Sequence, residues 1–193
     1  IVAMGGTKHP APFIPNRISS VKLPSTLKLI EGFNDSPLLT EVNLDHCYQL
    51  ERISGFDNCA CLEKISIPYS LKQFDLTLNG CANIQSIRSA ALQPPTINAS
   101  LSTDKMSQIT VYVPVGKKGV YYMTEGWDKC KEVVEIGYSV MAEQNSNSYM
   151  IDGTGLYNTG ESVTLSAAPY SANELQSAIV KGWYINDTWH EGE

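Results

Sequence analysis

Three histidines, five cysteines and twenty carboxylates are the side chains of this 193-residue chain best suited to chemistry. Acyl transfer by serine or cysteine needs a base held beside its nucleophile. His9 lies in a Pro-rich lead-in and His190 close to the last residue, so only His46 falls in the body of the chain. His46 and Cys47, with Cys59 and Cys61, are zinc-ligand types, but they lack the two-pair spacing of a zinc knuckle. Glu51 with Asp57, or Asp45 with Glu63, would supply the two carboxylates of a glycoside hydrolase. Such charges are read more simply as solvated surface. Gly153, Gly155 and Gly160 only loosely match a phosphate loop, and no strand–loop–helix unit follows, so they are read as turn glycines. No catalytic residue, metal ligand set or cofactor is assigned.

Length and composition frame that reading. A chain this long makes one domain, or one and a small second. It is 42% hydrophobic and 18% charged, which suits a packed core and excludes a disordered chain. No apolar run approaches the ~18 residues of a membrane span. The net charge is −6, and all of it lies in residues 137–193, where seven acids face the single base Lys181. A neutral front and an acidic tail argue against nucleic acid and anionic membrane as partners. Five cysteines are too few for a disulfide scaffold.

The chain repeats itself every 22–23 residues from Ile18 to Ser107. Val21, Val42, Ile65, Ile87 and Ile109 form one column. Leu23, Leu44, Ile67 and Val111 form a second, broken at Ser89. Further columns are Leu27/Leu50/Leu71, Phe33/Phe56/Leu78 and Leu39/Leu62/Ile84. Aliphatic residues two apart share one side of a strand. Each unit therefore reads as one short strand, a turn and an irregular return. No unit buries its apolar side alone, so the units must stack as a solenoid with a parallel sheet. Each aligned aliphatic contributes ~1.5–3 kcal/mol when buried.

Polar columns support the register. Asn34, Asp57 and Asn79 align, placed to bond free backbone groups in a turn. Ser36, Cys59 and Cys81 align beside them. Cys59 and Cys81 are read as stacked buried thiols, with a disulfide as the lesser alternative. If Val21 and Leu23 point inward, Lys22 points outward, and so do Asn43, Ser66, Arg88 and Thr110. These five make the candidate ligand-binding row on the exposed sheet face, flanked by Glu41, Lys64 and Gln108. Each could equally be an ordinary solvated residue.

The segment 56-FDNCACLEKISIPYSLKQFDLTLNGCANIQSI-87 resembles the leucine-rich repeats of bacterial BspA-like surface proteins of the Bacteroides type. Pro24-Ser25 and Pro68-Tyr69-Ser70 occupy that family's Pro and Ser places, while the second unit has Asp45-His46-Cys47 instead. The run 110-TVYVPVGKKGVYYMTEGWDKCKEVVEI-136 is similar to the unit that closes such arrays, with a short helix over about Lys118–Thr124. Tyr121, Tyr122 and Trp127 are read as its apolar cap, which an open array end requires. The three N-x-S/T triplets at Asn34, Asn98 and Asn186 are then chance matches. After Gly137 the period stops. The alternating stretches 138–144 and 162–169, and the stretch 179–187, read as strands of a small antiparallel β domain. Its 153-GTGLYNTGESVTLSAAP-169 and Gly182-Trp183 are similar to divergent internalin-type B-repeat modules.

The expected fold is mainly β, or α/β by solenoid class. It is a right-handed leucine-rich repeat solenoid with short parallel strands and few helices, plus the small β domain. Residues 1–17 are a lead-in, 18–137 the solenoid with its cap, and 138–193 the β module. The resemblance implies a non-catalytic adhesion protein at the bacterial cell surface or secreted, not membrane-spanning, and a monomer is expected. Its partner would be a host protein or glycan. A spacer in a larger surface assembly, or a glycan-processing accessory protein, are the alternatives.

Overall fold

The computed structural model describes residues 18–98, 101–142, 149–169, 182–185 and 188–191. Among the described residues strand far outweighs helix, and the sheets are mostly parallel. From Leu29 onward the chain alternates between two sheets. One holds β1 (Leu29–Gly32), β3 (Arg52–Gly55), β5 (Gln73–Asp75) and β7 (Thr96–Ile97), all parallel. The other holds β2 (Glu41–Asn43), β4 (Lys64–Ile67), β6 (Ser86–Ser89), β8 (Thr110–Pro114) and β9 (Glu132–Val140), also parallel. An antiparallel strand, β11 (Gly155–Asn158), completes it.

The return segment of each unit is therefore a strand and not irregular chain. Ile30, Ile53, Phe74 and Ile97 stand in register across one sheet. Val42, Ile65, Ile87, Val111 and Val133 do so across the other, all fully buried. The two rows belong to one apolar core that runs from Leu23 to Val133. Gly55 is needed where β1 and β3 end together: a Cβ there would lie 2.1 Å from Gly32 O, at a φ of +100°.

Two of the expected columns shift. Residues 21–23 form no strand. The partner of Ile87 is Val111 and not Ile109, because the fourth unit carries a helical turn, α1 (Thr103–Met106), that lengthens it by two residues. The break at Ser89 has a structural use. Ser89 Oγ lies 2.6 Å from Tyr121 Oη, and that hydroxyl donates to Ala91 O at 3.1 Å. Tyr121 comes from α2 (Lys118–Tyr122), which carries the chain from β8 to β9. Trp127 packs edge-on to Tyr121 with ring centroids 5.2 Å apart and donates Nε1 to Pro95 O at 2.7 Å. Both side chains are fully buried, whereas Tyr122 is largely exposed and accepts from Val133 N through its hydroxyl.

The polar columns form as ladders. Asn34 Oδ1 accepts from Asp57 N at 2.8 Å, and Asp57 Oδ1 from Asn79 N at 3.0 Å. They stabilise turns in which Phe33, Phe56 and Leu78 have φ of 66°, 69° and 54°. Cys59 and Cys81 are free thiols that donate to Phe33 O and Phe56 O at 3.1 and 2.9 Å. The hydrogen bond with the neighbouring Cys59, and then burial, hold the Cys81 thiol far above its ordinary range.

β9 passes through Gly137 without a break, so the tail begins inside the main sheet. Two antiparallel pairs follow: β10 (Tyr149–Asp152) with β12 (Ser166–Pro169), and β13 (Gly182–Ile185) with β14 (Thr188–Glu191). No helix among the described residues is long and apolar enough to cross a membrane.

A candidate ligand groove under the C-terminal ribbon

Alternation on the longer sheet sends Val42, Ile65 and Ile87 inward and their neighbours outward. The outward row in register is Asn43, Ser66, Arg88 and Tyr112. Tyr112 takes the place expected of Thr110, which lies one row over with Glu41, Lys64 and Ser86; Gln108 precedes β8 and is not part of it. The two-residue extension of the fourth unit is again the cause. Thr110 is not among the residues that line the groove described next.

The face is not open along its length. The second half of β9 and the antiparallel β11 form a ribbon that crosses it. Arg88 Nη2 donates to Leu156 O at 2.5 Å, and Leu156 is buried. Thr154 Oγ1 donates to Asp45 O at 2.9 Å. Tyr69 Oη donates to Ala142 O at 2.7 Å, and Ser139 Oγ to Ala90 O at 2.6 Å. Gly155 rests on Asp45 so closely that a Cβ would lie 2.8 Å from Asp45 Cβ, at a φ of +143°. The ribbon is thus tied to the loops that follow β2, β4 and β6.

A groove of about 760 Å³ remains between the sheet face, the loop at Leu23–Ser25 and the ribbon. Lys22, Asn43, Ser66 and Arg88, four of the five residues expected on the face, line it. Lys22 and Asn43 are exposed as expected. Ser66 is buried rather than exposed, and Arg88 is half-buried, because the ribbon lies over them.

Reading the sheet alone missed Asp45, His46, Tyr157 and Glu161, which also line the groove. Its signal was the second unit's departure from the Pro-Ser pattern at Asp45-His46-Cys47. Asp45 and Arg88 carry the unusual electrostatics. Asp45 Oδ1 and Arg88 Nε are both buried with no hydrogen-bond partner among the described residues. Burial pushes the Asp45 carboxyl up to about 7; Arg88 opposes the shift and Glu41 adds to it. Across the groove, Glu41 and Lys64 form an ion pair at 3.0 Å. Burial also raises the Tyr157 hydroxyl.

The sequence's other candidates take structural places. His46 Nε2 donates to Leu23 O at 2.6 Å, so the ring pins the neighbouring loop. Burial, then Asp45, push the Cys47 thiol up to about 12, far from a reactive thiolate. Glu51 pairs with Lys72 at 2.7 Å on the surface, and Asp57 belongs to the turn ladder. Among the described residues, no three His, Cys, Asp or Glu side chains group as metal ligands. His9 lies outside the described residues. The arrangement can offer hydrogen bonds, paired charge and apolar contact to a ligand. Set beside known protein families, curated proteins and solved structures, the chain matches none of them.

Proposed function

We propose that this chain is a non-catalytic binding protein built on a right-handed leucine-rich repeat solenoid, acting at the bacterial cell surface or in secreted form as a monomer. Its partner is a host protein or a glycan. The alternation of two parallel sheets at a repeating register supports the solenoid, and the BspA-like motifs support the surface setting. One observation carries the binding role: a groove of about 760 Å³ on the outward sheet face, lined by Lys22, Asn43, Ser66 and Arg88. That volume lies in the ~300–1,000 Å³ range of ligand sites. Extended outward faces are also what repeat arrays use for recognition.

The test is a binding screen of the full chain against immobilised host matrix proteins and glycans, with a Lys22→Ala/Asn43→Ala variant beside it. Arg88 is a poor choice for substitution, because it also holds the ribbon at Leu156 O. A hit about tenfold weaker in the variant supports binding through the groove. A hit of equal strength in both proteins moves the site elsewhere. Silence across the panel favours the spacer reading.

A further inference from the structure

The chemistry of the groove wall selects among ligand classes, and the selection rests on the reading of this groove as the binding site. We infer that the groove takes a short, uncharged oligosaccharide. Its charges are mixed at close quarters: Lys22, Lys64 and Arg88 against Glu41, Asp45, Asp152 and Glu161. An anionic ligand meets the carboxylates of Glu41, Asp152 and Glu161 there and a cationic one meets three basic groups, so neither sign is favoured. The polar groups at the exposed rim are the Asn43 carboxamide and the Lys22 ammonium. Sugar hydroxyls can accept from both and donate to the carboxamide oxygen, and neighbouring hydroxyls on one ring can do both together.

The remaining surface agrees. Leu23, Ile151, Leu156 and Ala168 line the same groove beside Tyr157, whose hydroxyl is fixed on Gly153 O at 3.0 Å. A tethered ring next to aliphatic side chains suits the C–H face of a pyranose.

Calorimetric titration of the full chain tests the inference. The probes are neutral tri- and tetrasaccharides of glucose, galactose, mannose and N-acetylglucosamine, beside sulfated and uronic-acid counterparts. The expected result is one-to-one saturation by a neutral sugar. Binding should weaken about tenfold or more in Asn43→Trp, which fills the groove from its exposed rim, and in Lys22→Ala. Gln73→Ala on the other sheet should leave it unchanged. Circular dichroism and thermal melting establish that each variant is folded. Binding of the anionic sugars alone overturns the inference, and so does neutral-sugar binding indifferent to Asn43→Trp. If a matrix protein binds in an Asn43-dependent way while every neutral sugar is silent, the inference fails and the groove reading stands. If no ligand depends on Asn43 or Lys22, both fail.

Discussion

Burial pushes Asp45 up to about 7, from an ordinary 3.8, so its charge changes across the neutral range. The folded value lies above the unfolded one. The stability from keeping Asp45 neutral is therefore complete below pH ~4 and fades as the pH rises through 7. Asp45→Asn removes this dependence while keeping the shape. At pH 8 the variant should be more stable than the parent, by on the order of 2–4 kcal/mol, and the gap should close toward pH 4. Urea unfolding of both proteins at four or five pH values measures the gap directly and cancels the other titrating groups. A constant gap would mean that Asp45 is solvated in the folded chain.

At the scale of elements, the decisive contact is that of β11 with the loop after β2. It rests on a glycine with no room for a side chain, on Thr154 Oγ1 and on the Arg88 guanidinium. Gly155→Ala adds a carbon that must push Asp45 aside, at a φ that an L side chain rarely adopts. The ribbon should lift while the sheets stay formed. Hydrogen exchange should then rise at residues 154–158, and the amides of β3, β4 and β6 should keep their protection. Equal loss of protection throughout would show that the ribbon is part of the core and not an arm laid on it.

Over the whole molecule, one apolar core joins the two sheets from Leu23 to Val133. Each strand is only two to five residues long up to β8, so no unit is stable without its neighbours. Ile65 is fully buried inside its row, between Val42 and Ile87. Ile65→Ala should cost about 2–5 kcal/mol, and the loss should reach β1 and β9 as well as β4. Exchange rates measured strand by strand would read this. Faster exchange confined to β4 and its two neighbours would show that the units open independently.

While the sheet of β1, β3, β5 and β7 reads only as an irregular return, the sequence by itself determined the repeat, the inward row of the other sheet and the turn ladders. Each of these depends on residue type at a fixed interval: Val42 and Ile65 had to face one way, and Asn34, Asp57 and Asn79 had to stack. The burial of Tyr121 and Trp127 was legible for a similar reason, since both are too large and apolar to leave in solvent, whereas Tyr122, expected with them, is exposed. Register in the fourth unit was not legible, because α1 adds two residues that no periodic column could anticipate, and Tyr112 took the place expected of Thr110. The groove was half legible. Asn43, Ser66 and Arg88 followed from strand alternation, which acts within one unit, and Lys22 from the repeat although no strand forms there. Asp45, Thr154 and Tyr157 did not, because they meet through contacts more than a hundred residues apart, such as Thr154 with Asp45. Only the tertiary structure decided that the outward face would be partly roofed. The path of a ribbon across a sheet is set by shape and by hydrogen bonds between distant segments, and neither leaves a period in the chain.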